Sequence, residues 1–198
     1  YDKLGFQTPV NLELPGEVVG FFNQKKNWGS VITATVGFGH GMVTTGIQLG
    51  KLYGILANNG SLIHPQIIKR NKTIGQQQQV LPKTVVKEVL KMLNDVVETA
   101  EGTGTRASID QYSVGGKTGT AQKFDSQTKT YQSGKYTSSF AGIVPLNDPQ
   151  YVIVVVVDEP EKEYYGSAVA APIFKKVAEY LLLRDGVSPT KANLSKIE

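Results

Sequence analysis

Tyr136-Thr-Ser-Ser-Phe-Ala-Gly-Ile-Val-Pro-Leu-Asn-Asp-Pro-Gln-Tyr-Val-Ile-Val-Val-Val-Val-Asp158 is the stretch from which the fold can be read. Its first part, Tyr136 to Val144, alternates and is rich in Ser, Thr and aromatic residues, as suits a pleated, half-buried strand. Its second part, Tyr151 to Val157, is a continuous β-branched run, expected of a strand covered on both faces. Asn147-Asp148-Pro149 between them is turn chemistry, and so short a connection makes the strands antiparallel neighbours. An antiparallel hairpin argues for an α+β fold over a doubly wound parallel sheet.

Working outward, Tyr112 to Gln122 supplies a third strand, which carries Lys117-Thr118-Gly119-Thr120, and Lys123 to Lys135 reads as a polar loop. Downstream, a helix over about Ser167 to Leu183 carries Val169, Ile173, Val177, Tyr180 and Leu181 on one stripe, with which it can pack on the sheet. Residues 185–198 read as a polar tail, leaving residues 1–184 as one folding unit. Upstream, Pro82 suits the first residue of a helix whose valines and leucines, from Val85 to Val97, recur at three and four. Thr44 or Thr45 can cap an earlier helix that Gly60 stops. Ile63 to Ile68 suggests a short extended piece, Gln76 to Gln79 a loop tip, and residues 1–43 loops and short elements around the glycine-rich Gly37 to Gly41.

Composition narrows the function classes. With 40% hydrophobic and 19% charged residues, the 198-residue chain is no charge-dominated disordered segment. A net charge of +4 is scattered, with adjacent basic residues only at Lys25-Lys26, Lys69-Arg70 and Lys175-Lys176, so no nucleic-acid footprint is expected. The absence of cysteine removes disulfides, thiolate metal sites and cysteine nucleophiles. The longest apolar run, Tyr151 to Val157, is far short of the roughly 20 residues that span a bilayer. A start at Tyr1-Asp2-Lys3-Leu4-Gly5, with neither an initiator Met nor a signal pattern, suggests part of a longer protein.

Gly116-Lys117-Thr118 admits two chemical readings besides a plain surface lysine. It resembles the end of a phosphate loop, and Val152 to Val157 followed by Asp158-Glu159 could hold magnesium. That loop requires a glycine where Gln111 stands and a helix start where Gly119 stands. The other reading is an edge strand that grips a carboxylate: a cation and a hydroxyl at Lys117 and Thr118, then no side chain at Gly119, with the Thr120 N–H aimed at an acyl oxyanion. His40 and His64 have no ligand-spaced companions, so no metal or cofactor site is expected. Arg106 by default faces solvent, Asp158 and Glu159 end a strand, and Met42 replaces the third glycine of a dinucleotide fingerprint.

Several segments together resemble the transpeptidase domain of class B penicillin-binding proteins. They are Gly37-Phe-Gly-His-Gly-Met-Val-Thr-Thr-Gly-Ile-Gln-Leu, Leu56-Ala-Asn-Asn-Gly-Ser-Leu-Ile-His-Pro, Gly115-Gly-Lys-Thr-Gly-Thr-Ala-Gln, Phe140-Ala-Gly-Ile-Val-Pro, Val157-Asp-Glu-Pro, Tyr164-Tyr-Gly and Ala170-Ala-Pro-Ile-Phe. The Lys-Thr-Gly is one of the three signature motifs of such enzymes. The last features are most similar to the cell-division, septal type, with elongation or sporulation types next. The resemblance implies a serine D,D-transpeptidase that crosslinks peptidoglycan stem peptides through an acyl-serine, is trapped by β-lactams, and works outside the cytoplasmic membrane to which its parent is anchored, among division-machinery membrane proteins. It implies that Lys117 supplies charge and proton-network support, that the Thr120 N–H is an oxyanion donor, and that Thr118 and Gly119 bind substrate beside an aromatic wall of Tyr164, Tyr165 and Gly166. In the family a Ser-x-x-Lys and a Ser-x-Asn precede Lys-Thr-Gly. Here Ser-x-Asn is absent, and the Ser-x-x-Lys at Ser126 to Lys129 follows in a polar loop with no apolar helix face. The nucleophile is therefore expected in the parent, upstream, and this chain alone is expected to be inactive. The alternative is a non-catalytic penicillin-binding-like scaffold module.

Overall fold

A computed structural model describes residues 2–22, 28–37, 39, 41–68, 78–125, 127–128 and 130–191. The first 43 residues hold short elements, as expected: a 3-10 turn at Asp2–Leu4, β1 (Phe21–Phe22), α1 (Ser30–Val36) and β2 (Met42–Val43), with β1 and β2 paired antiparallel. Gly39 and Gly41 take φ of +89° and +76°, the left-handed conformation that glycine adopts without a Cβ penalty. His40 lies outside the described residues.

Helix α2 (Gly46–Ala57) starts at Thr45, whose side chain accepts from the Gln48 N–H while the Gln48 side chain accepts from the Thr45 N–H. Gln48 also accepts from Gly20 N at 3.1 Å and donates to Phe6 O at 2.9 Å, so one buried amide ties the amino-terminal segment to this helix. The helix stops as expected at Gly60, whose φ of +86° lets its N–H reach back to Ile55 O at 2.8 Å. Residues 63–68 form no strand; among the described residues the pairing near them is a single bridge from Ser61 to Gln79. Helix α3 (Lys83–Glu98) follows Pro82 and buries Val86 and Val97, while Val85, expected on its apolar stripe, is exposed.

The site-bearing sheet has the order β3 (Gly115–Asp125), β4 (Thr130–Val144), β5 (Tyr151–Asp158), antiparallel throughout. The expected loop from Lys123 to Lys135 is mostly ladder: after an irregularity between Gln122 and Phe124, Phe124 pairs with Tyr131 and Asp125 with Thr130. An edge-to-face contact of Phe124 with Tyr131 at 5.5 Å extends the hairpin despite its polar composition. The Asp125 carboxylate accepts from Gln127 N and Thr128 N, which closes the turn and holds its pKa low. Ser126 and Lys129 lie outside the described residues.

Strand β4 is central, and its alternation feeds two cores. Phe140 and Val144 pack with Val97, Ala107, Ile109 and Val114 under α4 (Gly166–Arg184); Ala141 and Ile143 pack with Tyr53, Leu56 and Val86 of α2 and α3. β5 is covered on both faces, with Ile153 and Val155 against the first core and Val152 and Val154 against the second. Among the described residues no strand pairs with its outer edge, where Val156 is exposed.

Helix α4 is present, but its phase is the reverse of the expected one. It buries Ala170, Ala171, Phe174, Ala178 and Leu182, while Ile173, Val177 and Tyr180 are 41%, 39% and 64% exposed. The reason is close approach: a Cβ on Gly142 would stand 2.8 Å from the Phe174 ring, so the sheet offers a hollow that one phenyl fills and alanines flank. Phe140 meets that phenyl with ring centroids 4.7 Å apart.

Part of the segment expected as a tail is docked. Tyr112 donates to Val187 O at 2.6 Å, Ser113 N donates to Thr190 Oγ1 at 3.2 Å, and Lys191 reaches Glu98 at 2.8 Å. At the end of α4 the Arg184 guanidinium grips Asp185 with two bonds of 2.7 and 2.8 Å, and Tyr151 of β5 donates to the same carboxylate. Arg184 first, then Tyr151, depresses the Asp185 pKa from 3.8 to about 2. A depressed folded-state pKa stabilises the fold above the unfolded value, and that contribution is lost as pH falls from about 4 towards 2. Asp185→Asn removes it, so the fall of the urea midpoint between pH 5 and pH 2.5 should be shallower than in the unsubstituted chain; an unchanged acid limb would refute the linkage.

Candidate active site

The register places Lys117 opposite Ala141, Thr118 opposite Phe140, Gly119 opposite Ser139 and Thr120 opposite Ser138. Lys117-Thr118-Gly119 therefore lies inside β3, an edge strand among the described residues. This excludes the phosphate-loop reading, because that cradle needs a loop handing over to a helix. Asp158 and Glu159 are also engaged elsewhere: Lys123 binds them at 3.0 and 2.8 Å, and Lys135 binds Glu159 at 3.3 Å. The Lys123 hydrogen bonds lower both carboxyl pKa values, the behaviour of a solvated strand-end ion cluster.

On β3 the Lys117 side chain is exposed, and its ammonium donates to Thr118 O at 3.0 Å and to Thr118 Oγ1 at 3.3 Å. The Thr118 hydroxyl also meets the Thr103 hydroxyl at 3.1 Å. Thr103 comes from the loop after α3, which is pinned where Gly104 N donates to Val96 O at 2.8 Å. A Cβ on Gly102 would stand 2.2 Å from that carbonyl oxygen, so the turn requires glycine there. The flanking glycines were the available signal for Thr103, which sequence reasoning did not single out. Arg106, in the 3-10 turn Thr105–Ala107, and His64 are both exposed.

The aromatic loop between β5 and α4 lies against the same strand. Gly166 N donates to Thr120 Oγ1 at 3.0 Å, and a Cβ on Gly166 would meet Gly119 O and Ser139 O, each at 2.5 Å. The sheet thus brings Thr118, Gly119 and Thr120 together with Tyr164, Tyr165 and Gly166, all of them singled out from the sequence. Tyr164 donates to the Tyr165 hydroxyl at 3.2 Å, and this bond raises the Tyr164 pKa. A third ring joins them: Tyr136 of β4 stacks on Tyr164 with centroids 4.2 Å apart and planes 13° from parallel. Tyr136 went unrecognised because only the β3–β4 register carries it to this corner.

Gly166 makes a sharp test of the contact. An alanine at an ordinary helix position is favoured over glycine by roughly 0.5–1 kcal/mol. Here the added methyl meets two backbone oxygens that cannot rotate away, and overpacking of that kind costs about 1–3 kcal/mol. The clash wins, so Gly166→Ala should lower the thermal midpoint; a raised midpoint would show that the helix start is free to move off Gly119.

Comparison with known proteins agrees with this geometry. The family described as the penicillin-binding protein transpeptidase domain matches residues 1–179. The peptidoglycan D,D-transpeptidase FtsI of Buchnera aphidicola is 37% identical over 190 residues, which make up 96% of this chain and 33% of that protein. Among solved structures, the transpeptidase domain of penicillin-binding protein 3 from Burkholderia pseudomallei superposes with a TM-score of 0.86 at 33% identity, covering 96% of this chain and 57% of that one. Penicillin-binding protein 3 of Mycobacterium tuberculosis, complexed with ampicillin, gives 0.85 at 29% identity, covering 97% and 46%. The chain spans about a third of the length of the curated relatives it matches. By sequence, by fold and by the edge strand that carries Lys117-Thr118-Gly119, the chain belongs to the penicillin-binding protein transpeptidase family.

Proposed function

We propose that this chain is the Lys-Thr-Gly wall of a peptidoglycan D,D-transpeptidase whose nucleophilic serine is supplied by the rest of the parent protein. The observation that carries the reading is the edge strand itself: an exposed ammonium at Lys117 and a hydroxyl at Thr118, with the aromatic loop packed beside them. In this reading the terminal D-Ala-D-Ala of a stem peptide lies along β3. Its carboxylate is held by Thr118 within the field of Lys117, and the N–H of Thr120 receives the carbonyl oxygen as it becomes an oxyanion. The serine oxygen bonds to that carbonyl carbon, the peptide C–N bond breaks, and D-Ala leaves with a proton. An amine of a neighbouring strand then displaces the serine and forms the crosslink. A penicillin offers a matching carboxylate beside an amide strained in a four-membered ring, and in this reading its acyl adduct persists; the ampicillin complex of the Mycobacterium tuberculosis relative supports the binding of such ligands.

The parent acts outside the cytoplasmic membrane, where peptidoglycan lies, anchored there and working with the membrane proteins of division. Among the described residues of this chain no helix is long and apolar enough to cross a membrane. Intact-mass measurement after incubation with a penicillin tests the proposal on the parent and on this 198-residue chain side by side. An adduct on the parent alone supports it. An adduct on this chain would move the nucleophile here, and no adduct on either would favour a non-catalytic scaffold.

A further inference from the structure

Ser138 is a hydroxyl in an apolar place. It sits on central β4, fully buried, on the face that two residues on carries Phe140 and four residues on Gly142, both against Phe174 of α4. An alanine or valine would suit that surface better unless the hydroxyl had a partner. Its partner is the backbone carbonyl of Tyr164, to which Ser138 Oγ donates. That carbonyl precedes the helix: Tyr165 is the N-cap, and the first turn is closed by bonds from Ala168 N and Val169 N to Tyr165 O. Ser138 thus serves a carbonyl that stands just before the helix's own bonding begins.

The aromatic loop has two further anchors. Tyr136, two residues earlier on β4, stacks on the Tyr164 ring, and Thr120, directly opposite Ser138 on β3, accepts from Gly166 N. Ser138 holds the peptide between these two anchors, and so fixes where the rings of Tyr164 and the exposed Tyr165 stand beside the Thr118 to Thr120 backbone.

We infer that Ser138 is a positioning residue that sets the aromatic side of the binding groove, and so the preference for ligands whose acyl side chain carries an apolar ring. The inference rests on the transpeptidase reading. A ligand held at Thr118 and Thr120 has its acyl side chain running on past Thr120, towards the rings that Ser138 positions, whereas its carboxylate and reacting carbonyl do not depend on them.

The test is Ser138→Ala in the full-length parent, with two probes: benzylpenicillin, which has an aromatic acyl side chain, and 6-aminopenicillanic acid, which has none. Acylation kinetics separate the pre-covalent dissociation constant from the acylation rate constant. The expected result is a 3- to 10-fold weaker dissociation constant for benzylpenicillin, roughly the span of one misplaced contact, with its acylation rate constant unchanged and 6-aminopenicillanic acid unaffected. Equal weakening of both probes, or a fall in both rate constants, would reduce Ser138 to general support of the sheet and overturn the inference. So would no change with either probe. A wild-type parent that neither probe acylates would instead remove the transpeptidase reading, and this inference with it.

Discussion

Phe174→Ala in this chain should lower the thermal midpoint by roughly 6–20 °C. The ring is fully buried, fills the hollow over Gly142 and meets Phe140 at 4.7 Å. Phenylalanine-to-alanine changes in cores cost about 3–5 kcal/mol, and a domain of this size loses about 2–4 °C per kcal/mol. Backbone flanks the cavity on the sheet side, so collapse around it is limited. The informative control is its neighbour Ile173, 41% exposed on the outer side of the same helix, where Ile173→Ala should stay within about 0.5 kcal/mol of wild type. Thermal unfolding followed by circular dichroism measures both. The reverse ranking would mean that α4 lies on the sheet by the Ile173, Val177 and Tyr180 stripe, and that the observed phase is wrong.

That stripe marks where sequence reasoning lost its grip. In α4 a spacing of three to four is carried by Val169, Ile173, Val177, Tyr180 and Leu181, which periodicity alone takes for the buried stripe. The buried face is instead Ala170, Ala171, Phe174, Ala178 and Leu182, because the sheet beneath has glycine at position 142 and takes one phenyl flanked by alanines. The alanines that flank the Phe174 ring and the glycine beneath it are small and carry almost no hydropathy signal, so the phase of the helix is not marked by them. β4 and β5 were legible for the opposite reason: a β-branched run beside turn residues leaves little choice of strand or partner. The β3–β4 extension was missed because Thr, Gln and Ser dominate it, although Phe124 and Tyr131 were the available sign of a cross-strand pair. The site divides in the same way. Lys117, Thr118, Gly119 and Thr120 stand consecutively and could be read as a motif. Thr103, Tyr136 and Ser138 reach the same corner only through the turn after α3 and the β3–β4 register.

Lys117→Ala in the full-length parent should slow acylation by a penicillin by about 10²–10³-fold, the usual loss when one preorganised stabilising group is removed from an acyl-transfer site. The ammonium donates to both oxygens of Thr118, the side-chain hydroxyl at 3.3 Å and the backbone carbonyl at 3.0 Å. It therefore lends positive potential to the proposed carboxylate grip, and its three donors can also serve a nucleophile arriving from across the groove. Those two roles separate kinetically. If Lys117 acted only through the carboxylate, the dissociation constant would rise and the acylation rate constant would hold, as for any group that binds ground state and transition state alike. Proton-network support requires the rate constant itself to fall. Thr118→Val should show the purer binding effect, a dissociation constant weaker by about 10- to 150-fold, since a hydrogen bond to a charged group contributes about 1.5–3 kcal/mol. Lys123→Ala supplies the control: it stands on the same strand, but its charge is spent on Asp158 and Glu159, so acylation should stay within about twofold of wild type, the scale of a surface change. A Lys117→Ala parent that acylates within threefold of wild type would place the catalytic charge elsewhere and leave the edge strand a binding surface alone.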